Sequence, residues 1–187
     1  MPASAQLVAV LDANVLFPQF LRDLLLRLAA AELFAPRWSD RIQSEWSRNL
    51  AAIRPDIPAE RIARLRDLME SAFPAARVTG HRALEREFSL VDAKDRHVAA
   101  AALRAGASVI VTHNLRHFPA AELASHGIRA IDPDAFVLSL VARDRETVTT
   151  TLEQHRLALT RPPYSPDEYR AAFTAAGLAR TATRLFR

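Results

Sequence analysis

LVAVLD, Leu7 to Asp12, is a short unbroken apolar run that closes on an acid. A continuous run of this length fits a strand buried on both faces, as strands of parallel sheets are. Outward from it, Pro18 stands at an expected first helical position, and FLRDLLLRLAAAEL carries a thick apolar face through Leu33. FAP, Phe34 to Pro36, reads as a brief second strand. SDRIQSEWSRNLAAI follows as a helix with Ser39 or Asp40 at its cap, and PAERIARLRDLMESAF as another with Pro58 near its start. ARV at Ala76 to Val78 is a candidate third strand, and SVIVT, Ser108 to Thr112, a β-branched fourth. PAAELASHG is a short helix closed by Gly127, and IRAI ends the series as a last strand. Short apolar strands alternating with amphipathic helices predict an α/β sandwich around a parallel sheet.

At 187 residues the chain suits one domain of ordinary size, or one domain with an appendage. Half the residues are hydrophobic and a quarter charged, which supports a packed core and excludes wholesale disorder. The absence of cysteine excludes a disulfide framework, a thiolate zinc site and a thiol nucleophile. No apolar run reaches membrane-span length, and the opening MPASAQ lacks the basic start of a signal peptide, so a cytoplasmic location is expected. Of 25 basic residues, 24 are Arg and one is Lys94. Arg forks match phosphate oxygens, but high-GC coding favours Arg and Ala together, so composition names no partner.

From Arg143 the strand signals stop. Three helical stretches follow, separated by the turn-forming RPPYSP, with eight Arg against five acids; the preceding 142 residues carry 17 basic and 16 acidic residues. The expected division is a domain over residues 1–142 and a basic helical extension over 143–187. The extension is too short to bury a good core alone and should dock on the main domain or on a partner.

In an open α/β sheet, ligands bind beyond the carboxyl ends of the strands, which is where Asp12 sits. Asn14, two residues on, can orient Asp12 or a water, or simply form a turn. LVDAKDRHVAAAA, Leu90 to Ala102, puts Asp92 and Asp95 three apart before an alanine run. Capping and the helix dipole explain that spacing without any function; the sharper reading points both carboxylates at a metal ion. THNLRHF, Thr112 to Phe118, should open on the same edge. There Asn114 offers a neutral oxygen ligand or a turn, and Thr112 can brace a neighbouring acid. His113 and His117 are four apart, but with no third ligand placed they read as surface histidines. Glu45 lies on a predicted helix beside Ile42, Trp46 and Asn49, and only the company of the other acids lifts it above a solvated glutamate. Lys94, Arg96 and Arg116 are solvated by default, with the backbone of a nucleic acid as the alternative partner.

The ordered set LDANVL, a helix with SEW, DAKDRHVAAAA and VTHNLRHFP resembles the PIN domain, particularly the VapC-like toxins of bacterial toxin–antitoxin pairs, over roughly Leu7 to Arg143. The resemblance implies a three-layer α/β/α sandwich with a central parallel sheet and an acidic site that binds Mg2+ or Mn2+ and hydrolyses RNA phosphodiesters. Asp12 matches the first acid of the pattern, Glu45 the helix acid and Asp95 the third, the set expected to be catalytic. Asp92 matches a further acid found in some branches, and is left as either ligand or cap. Asn114 falls where many PIN domains have a fourth Asp, which lowers the site's negative charge; Asp92 can compensate, or one ion can suffice. The C-terminal HRLALTRPPYSPDEY resembles the helical extension of some VapC-type proteins. RNA as substrate, a cognate antitoxin lying across the cleft, and a homodimer are further implications. Oxygen ligands with no Cys and no settled His favour Mg2+ or Mn2+ over zinc.

Two rivals stand beside this reading. A haloacid-dehalogenase-type phosphatase also follows its first strand with Asp, but wants a second Asp where this chain has Asn14, and a catalytic Lys where Lys94 is the sole lysine. A PIN domain that has lost catalysis could serve as an RNA-binding or protein-docking module, with Asn114 as the mark of loss; Asp12, Glu45 and Asp95 argue against it.

Overall fold

A computed structural model describes residues 6–90, 92–160 and 162–186. Most of the MPASAQ opening, together with Val91, Arg161 and Arg187, lies outside the described residues. The chain begins with β1 (Val8–Leu11), α1 (Ala13–Leu16) and α2 (Gln19–Ala30), then β2 (Ala35–Ser39), α3 (Asp40–Ile53), α4 (Ala59–Ala72) and β3 (Arg77–Val78). It continues through α5 (Arg96–Arg104), β4 (Val109–Val111), α6 (Ala120–Ala124) and β5 (Arg129–Ile131). Four helices close it: α7 (Pro133–Arg143), α8 (Arg145–Ala158), α9 (Pro166–Ala175) and α10 (Ala179–Leu185).

The five strands form one parallel sheet in the order β3-β2-β1-β4-β5. The chain therefore steps from β1 outward to β2 and β3, then returns to the other side of β1 to lay down β4 and β5. Crossovers that run in opposite directions from β1 put helices on both faces, giving the expected three layers. They also make the gap between β1 and β4 the topological switch point.

Val10, Leu11, Ile110 and Val111 are fully buried, as the unbroken apolar runs require. Val98 and the four alanines Ala99 to Ala102 of α5 are equally buried, and their small side chains let that helix lie close against β1, β2 and β4. Ser39 caps α3, its hydroxyl accepting from the Ile42 N–H at 3.3 Å. The expected helix through Leu33 stops at Ala30, because Glu32 adopts a left-handed backbone with φ 60°. The N–H groups of Glu32 and Leu33 then bond back to the carbonyls of Ala29 and Leu28. This is a Schellman closure on a residue other than glycine, at a cost of roughly 1 kcal/mol.

The C-terminal helices pack on the sheet domain. Phe20 of α2 meets the rings of His155, Tyr169 and Phe173 at centroid distances of 5.1, 5.8 and 5.6 Å. His155 is fully buried, with Nδ1 2.8 Å from the Tyr169 hydroxyl. Its Nε2 stands 3.2 Å from Asp23, at ion-pair distance but outside hydrogen-bond alignment. At the other end of the extension, Asp134 of α7 accepts from the N–H groups of Arg180 and Thr181 (both 2.9 Å), the Thr181 hydroxyl (2.6 Å) and the Arg180 guanidinium (3.0 Å). Among the described residues no helix is long and apolar enough to cross a membrane.

Candidate functional site

Asp12 follows β1 directly and is 5% exposed. One carboxylate oxygen accepts the Ala13 N–H at 2.7 Å; the other accepts the Asn14 amide and the Thr112 hydroxyl, both at 2.7 Å. Asn14 also donates to Thr112 Oγ1 at 2.9 Å, while its own oxygen accepts the His113 N–H at 3.0 Å. The Asn114 N–H donates to Thr112 Oγ1 at 3.0 Å. Asn14 thus takes the orienting role open to it, and Thr112 braces the acid. Together they lock the end of β1 to the end of β4. Burial pushes the Asp12 pKa up, and nearby Asp95 pushes the same way; the Thr112 and Ala13 bonds and His97 only partly offset this. Among the described residues no Lys or Arg pairs with it.

Asp92 and Asp95 flank a short 3-10 turn, Ala93–Asp95, that leads into α5. Asp92 caps that turn, accepting the Lys94 N–H at 2.9 Å. Asp95, at the mouth of α5, makes no cap bond to it. Its Oδ2 instead meets His117 Nδ1 at 2.7 Å. One donor atom from each of Asp92, Asp95 and His117 fits within a 4.8 Å span. Asp92 therefore takes the capping role, and it also stands in the cluster with Asp95 and His117.

His117 corrects the sequence reading. It is no surface histidine but half-buried against Asp95, because residues Leu115–His117 form a 3-10 turn after β4 and not the α-helix on which an i, i+4 pair would align. His113, in contrast, is exposed.

Glu45 of α3 is not part of that cluster. Its Oε1 lies 3.1 Å from Arg41 Nε and 3.3 Å from Nε2 of His97, a residue 1% exposed on α5. Burial raises the Glu45 pKa, but the His97 and Arg41 contacts outweigh it and hold the carboxyl below its ordinary value. Arg41 also donates to the Lys94 carbonyl at 3.1 Å, tying α3 to the Asp92–Asp95 turn. Asn114 heads the turn that carries His117, and its side chain makes no cap bond to that turn. His97 escaped the sequence reading; the only signal was a titratable ring at the start of an alanine run.

Asp92 and Asp95 thus cluster with His117 at the carboxyl edge of the sheet, Asp12 is coupled to Asp95, and Glu45 is joined to this edge only through His97 and Arg41. Closely set acids repel one another, and burial makes each costlier to ionise. Two carboxylates and an imidazole at this spacing, with an uncompensated buried Asp12 beside them, fit a divalent cation. Such an α/β/α sandwich with an acidic, cation-competent edge defines the class. A family model described as "PIN domain" matches residues 8–116, and one described as "VapC50 C-terminal domain" matches residues 133–187. The chain belongs to the PIN domain family. It is 42% identical over 73 residues to a protein of Mycobacterium tuberculosis (strain ATCC 25618 / H37Rv) named "Putative ribonuclease VapC50", a match spanning 39% of this chain and 43% of that protein. No solved structure matches the chain.

Proposed function

We propose that the protein is a divalent-metal-dependent endoribonuclease, the toxin of a toxin–antitoxin pair, with Asp12, Glu45 and Asp95 as its catalytic acids. The observation that carries this is the Asp92–Asp95–His117 cluster at the switch point of a PIN fold, with Asp12 close enough to Asp95 for their charges to couple. The relative named as a ribonuclease supports the same reading. Asp12, Asp95, Glu45, Asp92 and Asn114 are the proposed metal environment, with Mg2+ or Mn2+ as the ion. When bound, such an ion supplies Lewis-acid polarisation of the phosphoryl group and lowers the pKa of water for in-line attack. The chain's own contribution is position. Thr112 and Asn14 hold Asp12 in one orientation, while His97 and Arg41 hold Glu45 toward the turn. Arg41, Lys94 and Arg116 are exposed around this edge and suit the phosphates of an RNA strand.

The proposed working division keeps residues 1–142 as the nuclease domain and 143–187 as its extension. The C-terminal family model starts at residue 133 and so includes α7, whose Asp134 binds α10; α7 is common ground to both parts. A cognate antitoxin protein, a homodimer and a cytoplasmic location complete the proposal, on the strength of the VapC likeness.

The test is cleavage of total cellular RNA by purified, antitoxin-free protein, with Mg2+ or Mn2+ and with EDTA, beside Asp12→Ala. Discrete cuts that require both metal and Asp12 are expected. Asn114, in place of a fourth acid, favours a second reading as a docking module without catalysis. A folded protein that neither cleaves nor binds Mn2+ would establish that reading instead.

A further inference from the structure

The donor set at the sheet edge differs from one built of acids alone. His117 Nδ1 lies 2.7 Å from Asp95 Oδ2, inside a 4.8 Å cluster that also takes in Asp92, while position 114 carries a neutral amide. We propose that His117 is itself a ligand of the cation, through Nδ1, and that this nitrogen turns the site from Mg2+ toward first-row transition-metal ions such as Mn2+ and Co2+. The inference rests on the cation-dependent reading above and deepens it.

The turn that carries His117 favours this role, and the proton on the ring must be accounted for in it. The ring is held in place by the turn after β4, and the residue before that turn, Asn114, is anchored through its N–H on Thr112. Its Nε2 accepts the Arg116 Nε–H at 3.3 Å, which assigns the ring proton to Nδ1, facing Asp95. Two atoms that share a proton at 2.7 Å can turn their lone pairs to one ion instead, once that proton moves through solvent to Nε2. The ring loses no net proton, and Arg116, which is exposed, swings off the newly protonated nitrogen. Imidazole favours later first-row ions, whereas Mg2+ keeps oxygen ligands and sheds water reluctantly. The alternative role for His117 is a positioning one, donating to Asp95 while an ion binds oxygen alone. These roles differ in one respect: a positioning bond strengthens the site for every ion, a nitrogen ligand only for some.

The experiment is calorimetric titration of the full chain with Mg2+, Mn2+ and Co2+, on wild type, His117→Ala and Asp95→Asn, with electron spin-echo modulation of bound Mn2+. Wild-type affinity is expected to climb from Mg2+ through Mn2+ to Co2+. His117→Ala should weaken Mn2+ and Co2+ binding by about 10–100-fold, the range that even outer-shell partners command, and Mg2+ far less. Bound Mn2+ should show a nitrogen coupling that changes on 15N-histidine labelling and disappears in His117→Ala. Where the alanine variant fails to fold, His117→Gln, which fills the same space, should lose the nitrogen coupling in its place. Equal weakening for all three ions, a wild type without nitrogen coupling, or coupling that persists in His117→Ala overturns the proposal. If Asp95→Asn abolishes binding while His117→Ala does not, the cation site stands and only the histidine ligand falls. If wild type binds none of the ions, the cation-dependent reading itself fails.

Discussion

Asp12 at the sheet edge and Asp134 in the C-terminal helices are almost equally hidden from solvent, at 5% and 4% exposure, yet their acidities move in opposite directions. Burial raises both. At Asp134 it is outweighed by the Thr181 hydroxyl, the Thr181 and Arg180 N–H groups and the Arg180 guanidinium, so the net pKa falls. At Asp12 the donors are a hydroxyl, an amide and a single N–H, Asp95 adds repulsion, and the net pKa rises. Depth contributes too: Asp12 is enclosed by the sheet, whereas Asp134 is covered mainly by the start of α10. The extension supplies Arg180 to complete the buried acid of α7. The sheet edge pairs Glu45 with Arg41 and His97 but gives Asp12 no such cation among the described residues, an arrangement that the proposed ion would complete.

That contrast can be broken in several ways. The largest effect expected is on activity: Asp12→Ala or Asp95→Ala should cut RNA cleavage by on the order of 100-fold or more while the melting transition stays cooperative. Either variant cleaving at the wild-type rate would sink the catalytic assignment. Asp134→Ala should do the reverse. Removing the acceptor strands the buried hydroxyl and N–H of Thr181, at a cost of about 3 kcal/mol or a Tm loss of roughly 6–12 °C, seen by calorimetry. The nuclease rate per folded molecule should be unchanged.

A matched pair sharpens the comparison further. Thr112→Val and Thr181→Val each delete a hydroxyl that donates to a buried aspartate, at 2.7 and 2.6 Å. Each should cost about 1–3 kcal/mol. Thr112→Val alone should also lower cleavage, because it frees Asp12 to turn. The smallest effect is acid sensitivity. A depressed folded pKa contributes stability that is present above the ordinary Asp value of 3.8 and is lost as pH falls through the folded value. The extension should therefore loosen only in strong acid, and Asp134→Asn should flatten that loss; the readout is hydrogen exchange of α10 against pH.

How much of this the sequence discloses depends on how far the partners lie along the chain. Runs such as LVAVLD and SVIVT and the Ser39 cap are local signals, and the strands and helix start they predict are present. Asp92 and Asp95 are three apart, so their proximity is legible from spacing alone. His117 is not: its partner Asp95 is 22 residues away, and a three-residue turn, invisible to helical periodicity, rotates the ring inward. His97 meets Glu45 across two helices, and a lone histidine before four alanines carries no hint of which way it faces. Glu32 ends α2 early for a related reason. Its left-handed backbone is favoured by the chain's need to turn into β2, not by its own propensity.

The most direct measurement compares thermal stability with and without Mn2+ for wild type, Asp95→Asn and Asp134→Asn. At an ion concentration about 100 times Kd, wild type should gain about 2.7 kcal/mol, or roughly 5–11 °C in Tm. Asp95→Asn should lose that gain, and Asp134→Asn, though less stable at the start, should keep it. A wild-type Tm that ignores Mn2+, or a gain that survives intact in Asp95→Asn, would contradict the claim that an ion completes the acids of the sheet edge.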